Sequence, residues 1–261
     1  MGSTAVPSEL GRLTVETSAS VARITLRHAP LNVIDIPMME ELSRSLAEIE
    51  TRPDVSVVVF AGAGKAFSVG VDVAAHTPDK VEEMLTKFHS VIRSVLATKK
   101  ITVVKVHGHC LGGGAELAMV CDLAFTSHSA QWGFPEIKLG CYPPVACAAL
   151  AALVGQKRAT ELILTGRTIN GNDAAEIGLA TRAVPENELK DAVEQCVGHL
   201  LSLSPAALAI AKKASYAWDS MHFDKGLARA EKIYFEELIK TSDAQEGIRA
   251  FMEKRAAKWT G

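Results

Sequence analysis

Apolar and polar positions change period several times along the chain, and each change marks an element. LTVETS (13–18) and VARITLR (21–27) alternate apolar and polar side chains, and the short gap between them predicts paired strands. From Pro37 to Ile49 the apolar positions recur at helical spacing, and Pro53 closes the stretch. VSVVVFAG (55–62) and ITVVKVHG (101–108) are unbroken β-branched runs, as in buried parallel strands. Residues 79–98, opened by Thr77-Pro78-Asp79, read as a helix. CLGGGAELAMV (110–120) passes from glycines into a helix, and CDLAFTS (121–127) reads as a further strand. This succession predicts a mixed α/β core with right-handed crossovers.

The second half changes character. Helical patterns cover 145–154, 157–164, 172–178, 186–202, 205–220, 224–240 and 243–256. Ser204-Pro205 marks a helix start and a boundary, dividing a core of residues 1–204 from a helical region of residues 205–261. That region is amphipathic and rich in Lys and Glu, so it either caps the core or packs on a neighbouring subunit.

Composition narrows the class. With 48% hydrophobic and 22% charged residues the chain is globular rather than disordered. The balance of 28 Lys+Arg against 30 Asp+Glu argues against a nucleic-acid partner. No segment reaches the length of apolar residues a membrane helix needs, and MGSTAVPSELGRL lacks the apolar run of a secretory leader. Five cysteines, odd in number and without CxxC spacing, read as reduced thiols, and the location expected is cytoplasmic.

Chemistry concentrates between residues 62 and 144. His107-Gly108-His109-Cys110-Leu111-Gly112-Gly113-Gly114-Ala115-Glu116 sets three glycines between a buried strand and a helix. Such a turn lets backbone come close to a ligand and suits an oxyanion or phosphate. It matches neither GxGxxG nor a Walker loop, and a tight strand-to-helix connection explains the glycines equally well. Glu116 follows the glycines and Glu136 lies in Gly133-Phe134-Pro135-Glu136-Ile137. Two carboxylates flanking one turn could hold a water and move protons. Taken singly, Glu116 also fits a first-turn helix acid and Glu136 a surface glutamate. His107 and His109 lack the further ligands a metal site requires. Asp72 reads as a loop cap, Ser68 lacks a nucleophile frame, Trp132 packs, and Cys141 and Cys147 read as apolar fillers.

Taken together, LGGGAELAMVCDLAFTSHSAQWGFPEIKLG (111–140) resembles the enoyl-CoA hydratase/isomerase family, the crotonases. HAPLNVID (28–35) is similar to the family's P-x-x-N-A loop and GKAFSVGVDV (64–73) to its K-A-F-x-A-G-x-D loop. LTGRTINGNDAAEIGLATRAVP (164–185) and EGIRAFMEKRAAKW (246–259) match its later segments, in the same order. The resemblance implies an α/β crotonase-like spiral of ββα units with a helical C-terminal region, assembled as trimers or hexamers. It implies an oxyanion hole for the thioester carbonyl from the N–H groups of Val71 and Gly113. It implies coenzyme A contacts at Ala29, Pro30, Leu31, Ala66, Ser68, Val69 and Gly70, with Phe251 and Lys254 near the nucleotide.

Hydratases of the family carry both glutamates, so the resemblance favours hydration of an acyl-CoA thioester without metal or redox cofactor. Glu136 then delivers the proton to carbon and Glu116 activates the water. The chain departs from fatty enoyl hydratases at Gly140-Cys141-Tyr142-Pro143-Pro144, where the family has a glycine-rich stretch. Tyr142 is there a candidate for the acyl pocket wall. PLNVIDIP (30–37), FSVGVDVAAHTPDKVEEM (67–84) and PEIKLGCYPPVA (135–146) look most like the cyclohexa-1,5-diene-1-carbonyl-CoA hydratases of anaerobic benzoyl-CoA degradation. A straight-chain enoyl-CoA hydratase, an isomerase and a non-catalytic RNA-binding relative are the alternatives. The glutamate pair and the absence of a basic stripe count against the last.

Overall fold

The computed structural model describes residues 8–9, 11–18, 20–77, 79–216 and 219–259. In chain order the strands are β1 (Ser8–Glu9), β2 (Leu13–Ser18), β3 (Val21–Leu26), β4 (Val57–Gly62), β5 (Ala66–Ser68), β6 (Ile101–Val106), β7 (His109–Leu111), β8 (Leu123–Ser127), β9 (Gln131–Gly133), β10 (Thr168–Asn170) and β11 (Arg182–Val184). The helices are α1 (Ile36–Glu50), α2 (Val81–Ala97), α3 (Gly113–Met119), α4 (Pro144–Val154), α5 (Gln156–Thr165), α6 (Gly171–Glu176), α7 (Leu189–Leu201), α8 (Pro205–Tyr216), α9 (Asp219–Glu236) and α10 (Ser242–Met252).

The strands form two sheets. The larger has the order β1-β2-β3-β4-β6-β8-β11, and the smaller β10-β9-β7-β5. β2 and β3 are the antiparallel pair that their alternation predicts, with Leu13 opposite Leu26. From β3 onward the larger sheet is parallel. Each parallel step sends the chain through one long strand, one short strand of the smaller sheet, and a helix: β4-β5-α2, β6-β7-α3, β8-β9-α4. This is the spiral of ββα units that the resemblance implies.

The local reasons are conventional. Asp35 caps α1 by accepting the Met38 N–H at 3.0 Å, and Pro37 sits in the first turn, where its missing N–H costs nothing. α1 buries Met38, Met39, Leu42, Leu46 and Ile49 on one stripe, and α2 buries Met84, Leu85, Phe88, Val91, Ile92 and Val95. The β-branched runs of β4 and β6 lie side by side in the middle of the larger sheet, covered on both faces. Trp132 on β9 is fully buried and donates to Thr126 Oγ1 on β8 at 3.0 Å, tying the sheets together.

The C-terminal helices are docked by polar as well as apolar contacts. Lys212 of α8 is buried, pairs with Asp122 at 2.8 Å and donates to the Lys100 carbonyl at 2.9 Å. Asp122 also accepts from the N–H and hydroxyl of Thr102, so the buried pair is fully bonded. α9 packs along α4. Among the described residues no single helix is long and apolar enough to cross a membrane.

One residue stitches the loops that precede the site. Asn32 is buried and holds φ +56, which asparagine tolerates better than most residues. Its Nδ2 donates to the carbonyls of Ala63, Ala66 and Phe67 at 2.8–3.1 Å, and its Oδ1 accepts the His28 N–H at 2.9 Å. Asn32→Ala leaves those groups unpaired, and each unpaired buried polar group costs about 1–3 kcal/mol before relaxation. A loss of about 2–4 kcal/mol is therefore expected in urea unfolding. An unchanged midpoint would show that the loops are held by something else.

Candidate active site

The glycines between β7 and α3 permit close approaches. Gly112 has φ +52 and ψ −130, a backbone that side chains resist. A Cβ there would lie 2.7 Å from Glu136 Oε1. A Cβ on Gly113 would lie 2.5 Å from Val71 Cγ2. The Gly112 N–H donates to the Gly133 carbonyl at 2.9 Å, which fixes the turn against β9.

The loop after β5 meets this turn. Ser68 Oγ donates to the Asn32 carbonyl at 2.7 Å and accepts the Gly70 N–H at 3.1 Å. Asp72 caps the following turn, its Oδ1 accepting the Ala74 N–H at 3.0 Å. The Ile34 N–H donates to the Gly70 carbonyl at 2.9 Å, and the Asp72 N–H to the Ile34 carbonyl at 3.2 Å. In such a parallel bridge the residue between, Val71, points its own N–H away from the partner strand. The Val71 nitrogen lies 3.4 Å from where a Gly113 Cβ would be. Gly113 opens α3, so its N–H has no acceptor within the helix. Two backbone N–H groups from different loops are thus neighbours.

Both glutamates reach the same place. Glu116 is buried, and its Oε1 accepts the Ala146 N–H at 2.9 Å where α4 begins. Burial pushes its carboxyl up to about 7, against the pull of the Ala146 and Val145 N–H groups. Glu136 stands in the short 3₁₀ turn Pro135–Leu139, which Gly140 closes at φ +71. Its Oε1 faces Gly112, and its Oε2 is buried without a hydrogen-bond partner. Burial, then the charge of Glu116, holds Glu136 well above the usual carboxylate range. A cavity of about 70 Å³ joins Glu116, Glu136, Val71 and Gly113 to a wall of Phe88, Leu139, Tyr142, Pro143, Pro144 and Tyr234. That is room for several water molecules. No Lys or Arg lines it, and burial shifts its one histidine, His76, toward the neutral form. With no Lys or Arg among the described lining residues to neutralise two charges, burial and mutual repulsion favour the protonated form of each carboxyl, and the push on Glu136 includes the charge of Glu116.

A larger cavity, about 390 Å³, lies between α2, α4 and the C-terminal helices. It is apolar, and its carboxylates are paired, Asp122 with Lys212 at 2.8 Å and Asp224 with Arg93 at 3.8 Å. The glutamate cavity alone of these two combines neighbouring backbone N–H groups from two loops with perturbed acids.

The remaining expected site residues fall in three groups. Val69, Gly70 and Tyr142 line the glutamate cavity with Val71 and Gly113, and the Tyr142 hydroxyl donates to the Ala230 carbonyl at 2.6 Å. Ala29 and Pro30 are exposed, Leu31 is half-buried, and the Val69 N–H donates to the Leu31 carbonyl at 3.2 Å. Ala66 and Ser68 are fully buried, and the Ala66 carbonyl is taken by Asn32. Phe251 on α10 and Lys254 just after it are exposed and do not line the cavity. One of two open readings is decided, and one expectation needs correction. Glu136 is no surface glutamate, because the turn folds its carboxyl inward against Gly112. Cys147 is no filler: it lies exposed on α4, whereas Cys141 is buried at the cavity. His107 Nε2 bonds the Gly64 carbonyl at 2.9 Å, and His109 is exposed. Phe88 and Tyr234 line the cavity yet carry no local sequence signal of a site. They join it through tertiary contacts alone.

Comparison with known proteins agrees with this geometry. The family model described as enoyl-CoA hydratase/isomerase matches residues 16–261. The cyclohexa-1,5-dienecarbonyl-CoA hydratase of Thauera aromatica is 34% identical over 94% of this chain and 95% of its own. The short-chain-enoyl-CoA hydratase of Clostridium acetobutylicum is 32% identical over 95% of this chain and 97% of its own. A solved enoyl-CoA hydratase from Mycobacterium avium subsp. paratuberculosis superposes with a TM-score of 0.88, 28% identity, and 97% and 100% coverage of the two chains.

The carboxyl pair costs stability in a defined pH window. Glu116 titrates near 4.5 when unfolded and near 7 when folded, so its contribution is full below about 4.5 and is lost as pH rises to about 7. Glu116→Gln removes that loss while keeping an oxygen for the Ala146 N–H. The unfolding free energy of the variant minus that of wild type should grow between pH 5 and 7 and then level off, by about 3 kcal/mol, read by urea unfolding at each pH. A difference independent of pH would refute the raised pKa of Glu116.

Proposed function

The chain belongs to the enoyl-CoA hydratase/isomerase family, and on that premise we propose that it adds water to a conjugated cyclic dienoyl-CoA, cyclohexa-1,5-diene-1-carbonyl-CoA. The observation that carries the hydratase reading is the buried carboxyl pair, both members pushed toward the protonated form, on one cavity with the neighbouring Val71 and Gly113 backbone. In this reading the thioester oxygen sits between the Val71 and Gly113 N–H groups. Preorganised donors aimed at a developing oxyanion are worth roughly 3–4 kcal/mol each.

The steps balance in protons and electrons. Glu116 takes a proton from water as the oxygen bonds to ring carbon 2. The electron pair of that double bond moves into a dienolate spread over the thioester oxygen, carbon 1 and carbon 5. Glu136 gives its proton to carbon 5, leaving a double bond between carbons 1 and 6. The product, renumbered, is 6-hydroxycyclohex-1-ene-1-carbonyl-CoA. No net electrons are transferred and the N–H pair does the work of a Lewis acid, so the reaction calls for no metal or redox cofactor. Coenzyme A is part of the substrate, and the loops at Ala29, Pro30, Leu31, Ala66 and Ser68 are its proposed seat. Residues 205–261, with Phe251 and Lys254, are proposed to join cytoplasmic trimers or hexamers and to reach the nucleotide.

The ring substrate is supported by the wall. Pro143 and Pro144 each fix φ and remove a backbone donor, and Tyr142 and Tyr234 meet edge to face at 5.2 Å. A stiff aromatic wall suits a compact planar ring better than a mobile chain. The similarity to a hydratase named for this substrate points the same way.

Two measurements test the reading. Glu116→Gln and Glu136→Gln should each lower kcat by about 10²–10⁴-fold with KM nearly unchanged, since acid–base catalysis acts on the transition state. Wild-type turnover in either variant would sink the two-carboxyl mechanism. Against a panel of acyl-CoA esters, with product masses recorded, kcat/KM for the cyclic dienoyl-CoA should exceed that for decenoyl-CoA by about tenfold or more. Crotonyl-CoA should be poor or inert. Preference for a straight chain overturns the ring assignment, and a product of unchanged mass marks an isomerase.

A further inference from the structure

The mechanism uses one oxygen of Glu136, the Oε1 that faces the glycine turn. The other, Oε2, is buried without a hydrogen-bond partner. One further side chain on the same cavity is in the same condition. Tyr234 of α9 is 1% exposed, and its hydroxyl has no partner among the oxygens and nitrogens around it, only the neighbouring Cys141 sulfur, a weak acceptor. A buried carboxyl oxygen and a buried phenol in one small space are complementary, since the carboxyl oxygen accepts and the phenol donates.

The phenol is held in place by its surroundings. The Tyr234 ring meets Tyr142 edge to face at 5.2 Å and Phe235 at 6.1 Å. One turn earlier on α9, the Ala230 carbonyl accepts the Tyr142 hydroxyl at 2.6 Å, which pins the helix to the cavity wall. The polar groups that act on the Tyr234 hydroxyl are the Cys141 thiol, Glu136 and Tyr142. Burial holds the phenol far above its usual range, so it stays a donor at any working pH.

We propose that Tyr234 is a positioning residue that donates its O–H toward Glu136 Oε2 through one water in their shared cavity, and so fixes the transferable proton on Oε1. A carboxylic acid has one proton and two oxygens. With Oε2 accepting from the phenol through that water, the proton occupies Oε1, at the glycine turn where the reacting carbon lies. Without the phenol the proton also occupies Oε2, turned away from the substrate. Tyr234 forms no covalent bond and keeps its own proton throughout. Once Glu136 has delivered its proton, the same donor stabilises the carboxylate left behind.

The inference rests on the hydratase reading for its kinetic test, and a second readout frees it from that reading. Tyr234→Phe keeps the ring and its packing and removes only the hydroxyl. The expected result is a kcat lower by about 10–100-fold, a KM within about twofold of wild type, and no fall in thermal midpoint. The alkaline limb of the kcat profile should also move to higher pH, because the carboxylate has lost a donor that favours its ionised form. A merely structural role would move KM and the thermal midpoint and leave that limb in place. Wild-type kcat in Tyr234→Phe, or a loss with an unmoved limb, overturns the proposal. Infrared difference spectra read the same contact without turnover. The acid carbonyl stretch of Glu136 should move to higher wavenumber in Tyr234→Phe, and an unmoved stretch overturns the proposal. If wild type turns over no enoyl-CoA while the stretch moves, the hydratase reading fails and the positioning of Glu136 stands.

Discussion

Two buried carboxyl groups share one small cavity that, among the described residues, no lysine or arginine lines. Water would solvate both charges, whereas burial penalises each and mutual repulsion penalises the second. The molecule accepts that cost at one point and arranges its neighbours accordingly. Glu116 receives backbone donors from the start of α4 and titrates near neutrality. Glu136 lies against Gly112, and burial with the charge of Glu116 pushes it toward its protonated form. An asymmetric environment thus separates a base from an acid of the same residue type, which water addition needs.

The rest of the fold serves to hold that asymmetry. The spiral returns the chain to one edge after each long strand, so short strands β5, β7 and β9 stand side by side. The Val71 loop, the glycine turn and the Glu136 turn follow those three strands in order. Register in the smaller sheet therefore sets the distances among them. Asn32 and Ser68 lock the first loop with buried hydrogen bonds, and Pro143-Pro144 fixes the far wall. Stability is spent at the carboxyl pair and regained in the bonded Lys212–Asp122 dock and the two-faced burial of β4 and β6.

The sequence was legible where period or composition was strong. The alternation of β2 and β3, the β-branched β4 and β6 and the long helices α1 and α2 fall where their patterns predict, within a few residues. The three-residue strands β5, β7, β9 and β10 carry no readable period, since three residues in glycine-rich or bulky loops cannot display alternation. The glutamates were visible as motif positions, but their burial was not. Glu136 follows a proline in a turn, a common surface setting, and only the absence of a Cβ on Gly112 lets it fold inward. Tyr234 was invisible as a site residue because it sits in an amphipathic helix where an aromatic is ordinary core, and only the packing of α9 on α4 brings it to the cavity. Cys147 is the converse case: its small apolar neighbours in sequence suggest a filler, yet its place on α4 leaves it exposed.

The central claim is that the pair holds one proton at neutral pH and that Glu136 carries it. Infrared spectroscopy of the resting protein titrated from acid to alkaline pH, with Glu136→Gln as the reference, reads this directly. The account predicts a protonated carboxylic carbonyl band at pH 7 that is missing from the Glu136→Gln spectrum, while the Glu116 carboxylate band grows in near pH 7. No difference between the two proteins in the carboxylic acid region at pH 7, with both glutamates seen as carboxylates, would contradict it.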